Sequence, residues 1–247
     1  MAQEIGLVTG AASGIGAAVA RQLAQGGAKV AVMDVNEQAG VEVAAEIGGE
    51  FIRCDVSDYD NFDGAIAACV ERLGVPDYAH LNAGVMTVGQ SEAFLPLEEV
   101  TLEQYRRIIG VNLDGVFNGL KSLLPRMRDN GGGITATASI AGLGPLPFDP
   151  LYGTTKHAVV GLVRAVAAAN EGSGLRINCI CPGGVDTAII PDALKAGGFN
   201  AMTPDVMAAE VVDLLTQAPN GEVRVKLSAD QPAFAVPAME LGAAPDQ

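Results

Sequence analysis

The chain has 247 residues, with 15 Lys+Arg against 29 Asp+Glu for a net charge of −14, and it is 49% hydrophobic and only 18% charged. That balance excludes extended disorder and is enough for a sizeable core, so one domain over 1–247 is expected. The negative charge repels phosphate backbones and anionic lipid heads, which excludes nucleic acid and membrane surfaces as partners and leaves a small uncharged molecule as the expected one.

The opening residues Met1-Ala2-Gln3-Glu4 carry no basic region and no apolar run of signal length. The longest helical apolar stretch, 158–169, is broken by Arg164 and is shorter than the ~20 residues of a membrane span, so a cytoplasmic protein is expected. Cys54, Cys69, Cys179 and Cys181 match no zinc framework and read as buried free thiols, with no metal site.

In chain order, short β-rich runs alternate with segments of helical period, the pattern of a doubly wound parallel α/β sheet with helices on both faces. Strands are expected at 5–9, 29–33, 50–54 and 78–81, with helices at 15–25, 37–47 and 58–73 between them. A loop at 85–100 leads into one long helix at 101–127. A fifth strand at 134–138, a helix at 152–170 and a sixth strand at 177–181 follow, then a helix at 204–217 and a strand at 222–227. Residues 188–203 read as a substrate loop, and 228–247, with Pro232, Pro237 and Pro245, as a tail of weak periodicity.

Between the first strand and helix lies Thr9-Gly10-Ala11-Ala12-Ser13-Gly14-Ile15-Gly16. Glycines there let backbone N–H groups and a helix N-terminus approach a pyrophosphate. An ordinary tight turn would choose glycine too, so context decides. Asp34 ends the second strand eighteen residues after Gly16, near the ~20 expected of a carboxylate that bonds a ribose 2′-hydroxyl, although a turn aspartate suits the position equally. Ser13, Val35 and Asn36 offer no cation for a 2′-phosphate, so NAD is expected over NADP.

Tyr152 and Lys156 stand four residues apart on one helix face, a common surface pattern in isolation, but Ser139 ends the fifth strand thirteen residues earlier, at the carboxyl edge where doubly wound sheets bind ligands. A phenol of pKa ~10 working as a base near pH 7 needs about 4 kcal/mol of help, which a neighbouring cation can supply in part.

From Ile5 to about Thr187 the chain resembles the short-chain dehydrogenase/reductase family, in its group of about 250 residues. The likeness rests on the glycine pattern at 9–16, Asp55, Asn82-Ala83-Gly84, Asn112, Ser139, Tyr152 with Lys156, and Pro182-Gly183. It implies that Tyr152 exchanges a proton with the alcohol or carbonyl oxygen, that Ser139 bonds that oxygen, and that Lys156 lowers the tyrosine pKa and binds the nicotinamide ribose. Asn112 would hold a water that links Lys156 to solvent; it also reads as a polar residue at a helix kink. The resemblance further assigns Gly10, Ser13, Gly14, Ile15, Gly16, Asp34, Asp55, Val56, Asn82, Ala83, Gly84, Pro182, Gly183, Val185 and Thr187 to the cofactor. For Asp55 helix capping, and for Asn82 strand bracing, are the plain alternatives.

Leu143, Leu146, Phe148, Ile189 and Ile190 are expected to line the substrate pocket, joined by Met86, Leu194, Phe199 and Met202, with Lys195 the one cation at hand. Some of these side chains serve equally to seal the loop. So apolar a roof favours an uncharged hydrophobic secondary alcohol or its ketone. His80 and His157 read as structural. The chain departs from the family after Thr187. The long helices still suit pairing in a homodimer or homotetramer, with Ala158, Gly161 and Ala165 as a small-residue face, and the tail would cover a neighbour or the pocket mouth. The rival readings are an NAD-sensing binding protein without turnover and, in a shorter chain than usual, an epimerase or dehydratase that uses NAD transiently.

Overall fold

The computed structural model describes residues 3–192 and 201–239. Among these residues eight strands form one sheet: β1 (Ile5–Thr9), β2 (Lys29–Asp34), β3 (Glu50–Arg53), β4 (Tyr78–Leu81), β5 (Gly132–Thr137), β6 (Leu175–Pro182), β7 (Val223–Lys226) and β8 (Phe234–Ala235). Their order is β3-β2-β1-β4-β5-β6-β7-β8, parallel except for β8 against β7. The connections reverse direction between β1 and β4, so a crevice opens beyond the carboxyl ends of those strands.

Helices cover both faces: α1 (Gly14–Gln25), α2 (Glu37–Ile47), α3 (Tyr59–Arg72), α4 (Leu102–Ile109), α5 (Gly115–Met127), α6 (Pro150–Ala169) and α7 (Pro204–Thr216). Strand side chains alternate between two cores. Leu7, Met33, Leu81 and Ile134 meet α3, α5 and α6, while Val8, Val30, Val32 and Ile180 meet α1, α2 and α7. Burial on both faces is why the strands read as continuous apolar runs. Local signals set the helix starts: Asn36, Asp58 and Thr101 accept backbone N–H bonds as N-caps, Thr101 in a capping box with Gln104.

Two features depart from the expected layout. The segment 101–127 is continuous but not one α-helix, because α4 and α5 are joined by a π turn, Gly110–Asp114, that contains Asn112. Within the tail, β8 pairs with the outer edge of β7, and Arg164 donates to the carbonyls of Val236 and Pro237 at 3.0 and 3.2 Å. Residues 234–237 thus cover a sheet edge and the flank of α6 instead of the crevice.

Candidate active site

The turn after β1 is shaped by close approach. Gly10 has φ +64°, and a Cβ there would fall 2.9 Å from the Ala83 Cα; a Cβ on Gly16 would fall 2.2 Å from the Gly10 carbonyl. The α1 N-cap, Ser13, makes no side-chain capping bond, and no acidic residue stands in the first turn, so the helix presents free N–H groups.

The Asp34 carboxylate at the end of β2 accepts from the Ala12 N–H (3.0 Å) and the Asn36 N–H (2.9 Å), which fixes it beside this turn. Val35 is exposed, and Arg53, in register with Asp34 on β3, lines a separate shallow groove with Glu37 and Asp60. Uncapped helix N–H groups and an oriented carboxylate make a donor and acceptor set that fits the pyrophosphate and ribose of a dinucleotide.

A cleft of about 460 Å³ runs from this turn across the carboxyl ends of the strands. It is lined by Gly10, Ser13, Gly14, Ile15, Asp34, Asp55, Val56, Asn82, Ala83, Gly84, Pro182, Gly183, Val185 and Thr187, and also by Ser139, Tyr152 and Lys156. Gly16 lies behind the turn, packed on the Gly10 carbonyl and Asn82. Asp55 accepts from both the N–H and the hydroxyl of Ser57, whereas the α3 cap is Asp58. Asn82 lines the cleft and braces strands as well: its Nδ2 donates to the carbonyls of Thr9 and Gly10.

Ser139 caps the short 3₁₀ turn after β5, its Oγ accepting from the Ala141 N–H at 3.1 Å, and lines the cleft with Tyr152. Burial pushes the Tyr152 phenol up to about 12; the Ser139 hydroxyl opposes the rise, while the nearby Asp149 and Cys181 add to it. Lys156 is 2% exposed, donates to the Thr137 carbonyl at 2.9 Å and stands 5.5 Å from the centroid of the Tyr152 ring. Burial lowers the pKa of its ammonium to about 8. The sequence reading has Lys156 acidify the phenol; in the protein alone burial dominates, and both groups move toward their neutral forms.

Asn112 is fully buried and does not line the cleft. Its Oδ1 accepts from the Val85 N–H (2.7 Å), and its Nδ2 donates to the Val85 carbonyl (2.9 Å) and Thr155 Oγ1 (3.1 Å). Both amide hydrogens are therefore spent on protein partners, and the side chain clamps the loop after β4. A Cβ on Gly84 would lie 3.4 Å from both Asn112 Oδ1 and Lys156 Nζ, so this backbone runs in close contact with both side chains.

The substrate end differs from expectation in part. Ile189, Ile190 and Met86 line the cleft, but Leu143, Leu146 and Phe148 do not. Phe148 packs against Phe94 in a tilted ring pair with centroids 4.9 Å apart, because the segment before α6 folds onto the 94–100 loop. Met202 is buried in a core, and Leu194, Lys195 and Phe199 lie outside the described residues. Arg107, which the sequence did not single out, lines the cleft together with Lys156, and its Nη2 donates to the carbonyls of Met86 and Thr87.

Sequence reasoning also missed Asp149, 2% exposed. It accepts from the Tyr152 N–H (3.0 Å) as N-cap of α6, and from the Thr87 N–H (3.0 Å) and hydroxyl (2.5 Å). An Asp before Pro at the start of a helical run signalled the cap. All four cysteines are buried and unpaired. Among the described residues there is no cluster suited to a metal ion and no helix long and apolar enough to cross a membrane.

Comparison with known proteins agrees with this geometry. The chain is 38% identical over 192 residues to a 2,5-dichloro-2,5-cyclohexadiene-1,4-diol dehydrogenase of Sphingobium indicum, covering 76% of this chain and 75% of the relative. It is 32% identical over 226 residues to a trans-4-hydroxycyclohexanecarboxylate dehydrogenase of Sinomonas cyclohexanicum, covering 87% and 85%. Its fold matches a 3-ketoacyl-(acyl-carrier-protein) reductase of Brucella melitensis complexed with NADH at a TM-score of 0.81 and 27% identity, over 91% and 96% of the two chains. With a family model for short chain dehydrogenases matching residues 4–196, the chain belongs to the short-chain dehydrogenase family.

Proposed function

We propose that this protein is an NAD(H)-dependent oxidoreductase that interconverts an uncharged, hydrophobic secondary alcohol and its ketone, with Tyr152 as general acid and base. The observation that carries the reading is the convergence of Ser139, Tyr152 and Lys156 on the same cleft as the Gly10–Gly14 turn and Asp34. Held by the Gly10–Gly14 turn and Asp34, NAD would supply the hydride acceptor or donor, while the residues of this chain orient the reactants and manage the proton.

Ser139 holds the reacting oxygen, the phenol gives or takes its proton, and the Lys156 charge favours the transient phenolate. The apolar side chains of Met86, Val88, Ile189 and Ile190 favour a substrate without charge. Relatives named for a dichlorocyclohexadiene-diol and for a hydroxycyclohexanecarboxylate support a cyclic alcohol. Exposed Leu102, Tyr105 and Phe117 on α4 and α5 support assembly into a homodimer or homotetramer, to be checked by molar mass in solution.

The test is NADH formation from NAD and a panel of cyclic and open-chain secondary alcohols, followed at the nicotinamide absorbance band. Tyr152→Phe is expected to lower turnover at least ~10²-fold while NADH affinity stays within about threefold of wild type. Wild-type turnover in the variant would remove the acid–base role, and NADH binding without turnover on any substrate would favour a sensing protein.

A further inference from the structure

The middle of β4 carries a fully buried histidine that does not line the cleft. The His80 ring lies between two threonines of β5, with Nδ1 2.7 Å from Thr135 Oγ1 and Nε2 3.2 Å from Thr137 Oγ1. The direction of every bond in this group follows from its far end. The carbonyls of Thr9 and Gly10 only accept, so Asn82 turns its Nδ2 to them, at 3.2 and 3.3 Å. Its Oδ1 then accepts the Thr137 hydroxyl proton at 3.0 Å.

With that proton committed, Thr137 Oγ1 is the acceptor for His80, which requires the hydrogen on Nε2. Nδ1 keeps its lone pair and accepts from the Thr135 hydroxyl. A one-way chain of hydrogen bonds therefore runs from Thr135 through His80, Thr137 and Asn82 to the carbonyl of Gly10, at the positive-φ turn. The backbone of Thr137 is a second branch point, because its carbonyl anchors the Lys156 ammonium. An apolar residue would fill the same volume with no polar group to satisfy, so the ring's two nitrogens are the feature that needs a reason. Burial lowers the pKa of the imidazole to about 3, which makes it a fixed strut across the neutral pH range.

We infer that His80 is a positioning residue: through the Thr137 hydroxyl it seats Asn82 against the Gly10 turn and fixes the peptide that holds Lys156, so that one buried ring aligns the cofactor turn with the active-site cation. The inference rests on the reading of the cleft as a dinucleotide site.

Two measurements test it. Nitrogen-15 spectra of the imidazoles are expected to show His80 as the neutral Nε2–H tautomer from pH 5 to 9; the Nδ1–H form, or titration within that range, would overturn the chain. NADH affinity, read from NADH fluorescence, is expected to fall about tenfold in His80→Leu and in Thr137→Val, and no further in the double variant. His80→Gln, which retains a donor toward Thr137, is expected to recover most of the loss. Additive losses, or a His80→Leu protein that melts lower yet binds NADH as wild type does, would overturn the inference and leave the cofactor reading intact. Should His80→Leu fail to fold, Thr137→Val and His80→Gln carry the same comparison. A wild-type protein that does not bind NADH would overturn both readings.

Discussion

The Lys156 ammonium is tied to the Thr137 carbonyl at 2.9 Å while its neighbour one turn earlier, Tyr152, is held through its N–H by Asp149 at the start of the same helix. The cation is thus fixed by the sheet and the backbone of Tyr152 by the helix cap; Lys156 is buried and Tyr152 half-buried, and the surroundings of both disfavour charge. In this state Tyr152 keeps its proton, the form required to protonate a carbonyl oxygen.

Ketone reduction is therefore expected to be flat from pH 6 to about 8, and to fall above it as Lys156, whose pKa burial has lowered to about 8, loses its charge. Alcohol oxidation, which needs the phenol ionised, is expected to rise with pH over the same interval. Initial rates of NADH consumption and formation between pH 6 and 10 check both limbs. A reduction rate that climbs through pH 8 would contradict the assignment.

The same burial has a consequence for stability. The ordinary pKa of a lysine is 10.5 and that of Lys156 is about 8, so between these values the folded chain binds fewer protons than the unfolded one. Its contribution is most favourable above 10.5 and is lost as pH falls through 8, at a cost of about 3 kcal/mol at neutral pH. Lys156→Met, similar in length and uncharged, is expected to raise Tm at pH 7 by roughly 6–12 °C, at ~2–4 °C per kcal/mol for a chain of this size, and to abolish turnover. The gain should shrink toward pH 10. A lower Tm at pH 7 would show that the Thr137 bond outweighs the buried charge.

Asp149 separates a packing role from an electrostatic one. Asp149→Ala leaves the Thr87 N–H and hydroxyl and the Tyr152 N–H without their acceptor, a loss of about 2–3 kcal/mol, so Tm is expected to fall by roughly 5–10 °C. Asp149→Asn keeps an acceptor oxygen and removes the charge that helps to push the phenol up. The rising limb of alcohol oxidation is then expected to move to lower pH. An unmoved limb in an active Asp149→Asn protein would mean that its charge is not felt at Tyr152.

Much of this site was legible in the sequence because its signals are local. Glycine spacing marks the turn after β1, and the Tyr152–Lys156 interval fixes a shared helix face. Long-range packing decided what was missed. The π turn presents Asn112 to Val85, a partner 27 residues away, and no periodicity marks it. Phe148, apolar and placed after β5, has the sequence character of pocket lining, but in the fold it packs against Phe94, far off in sequence. Arg107 reaches the cleft only because its partners are the backbone carbonyls of a loop that has no pattern of its own.

The proposed preference for NAD rests on Asp34. Its two oxygens accept from the Ala12 and Asn36 N–H groups, which fixes a negative charge beside the glycine turn that would repel a 2′-phosphate and could accept from a 2′-hydroxyl in the proposed complex. The wild-type protein is expected to prefer NAD over NADP by at least ~10² in kcat/KM, about 3 kcal/mol. Replacing Asp34 by Ala removes the repulsion but adds no attraction. Pairing that change with Val35→Arg, at an exposed position next in the chain, supplies a cation and is expected to bring the ratio near or below one. Parallel kinetics with the two cofactors measure this, and a wild-type preference for NADP would mean that Arg53, in register with Asp34 across the sheet, governs the 2′ position instead.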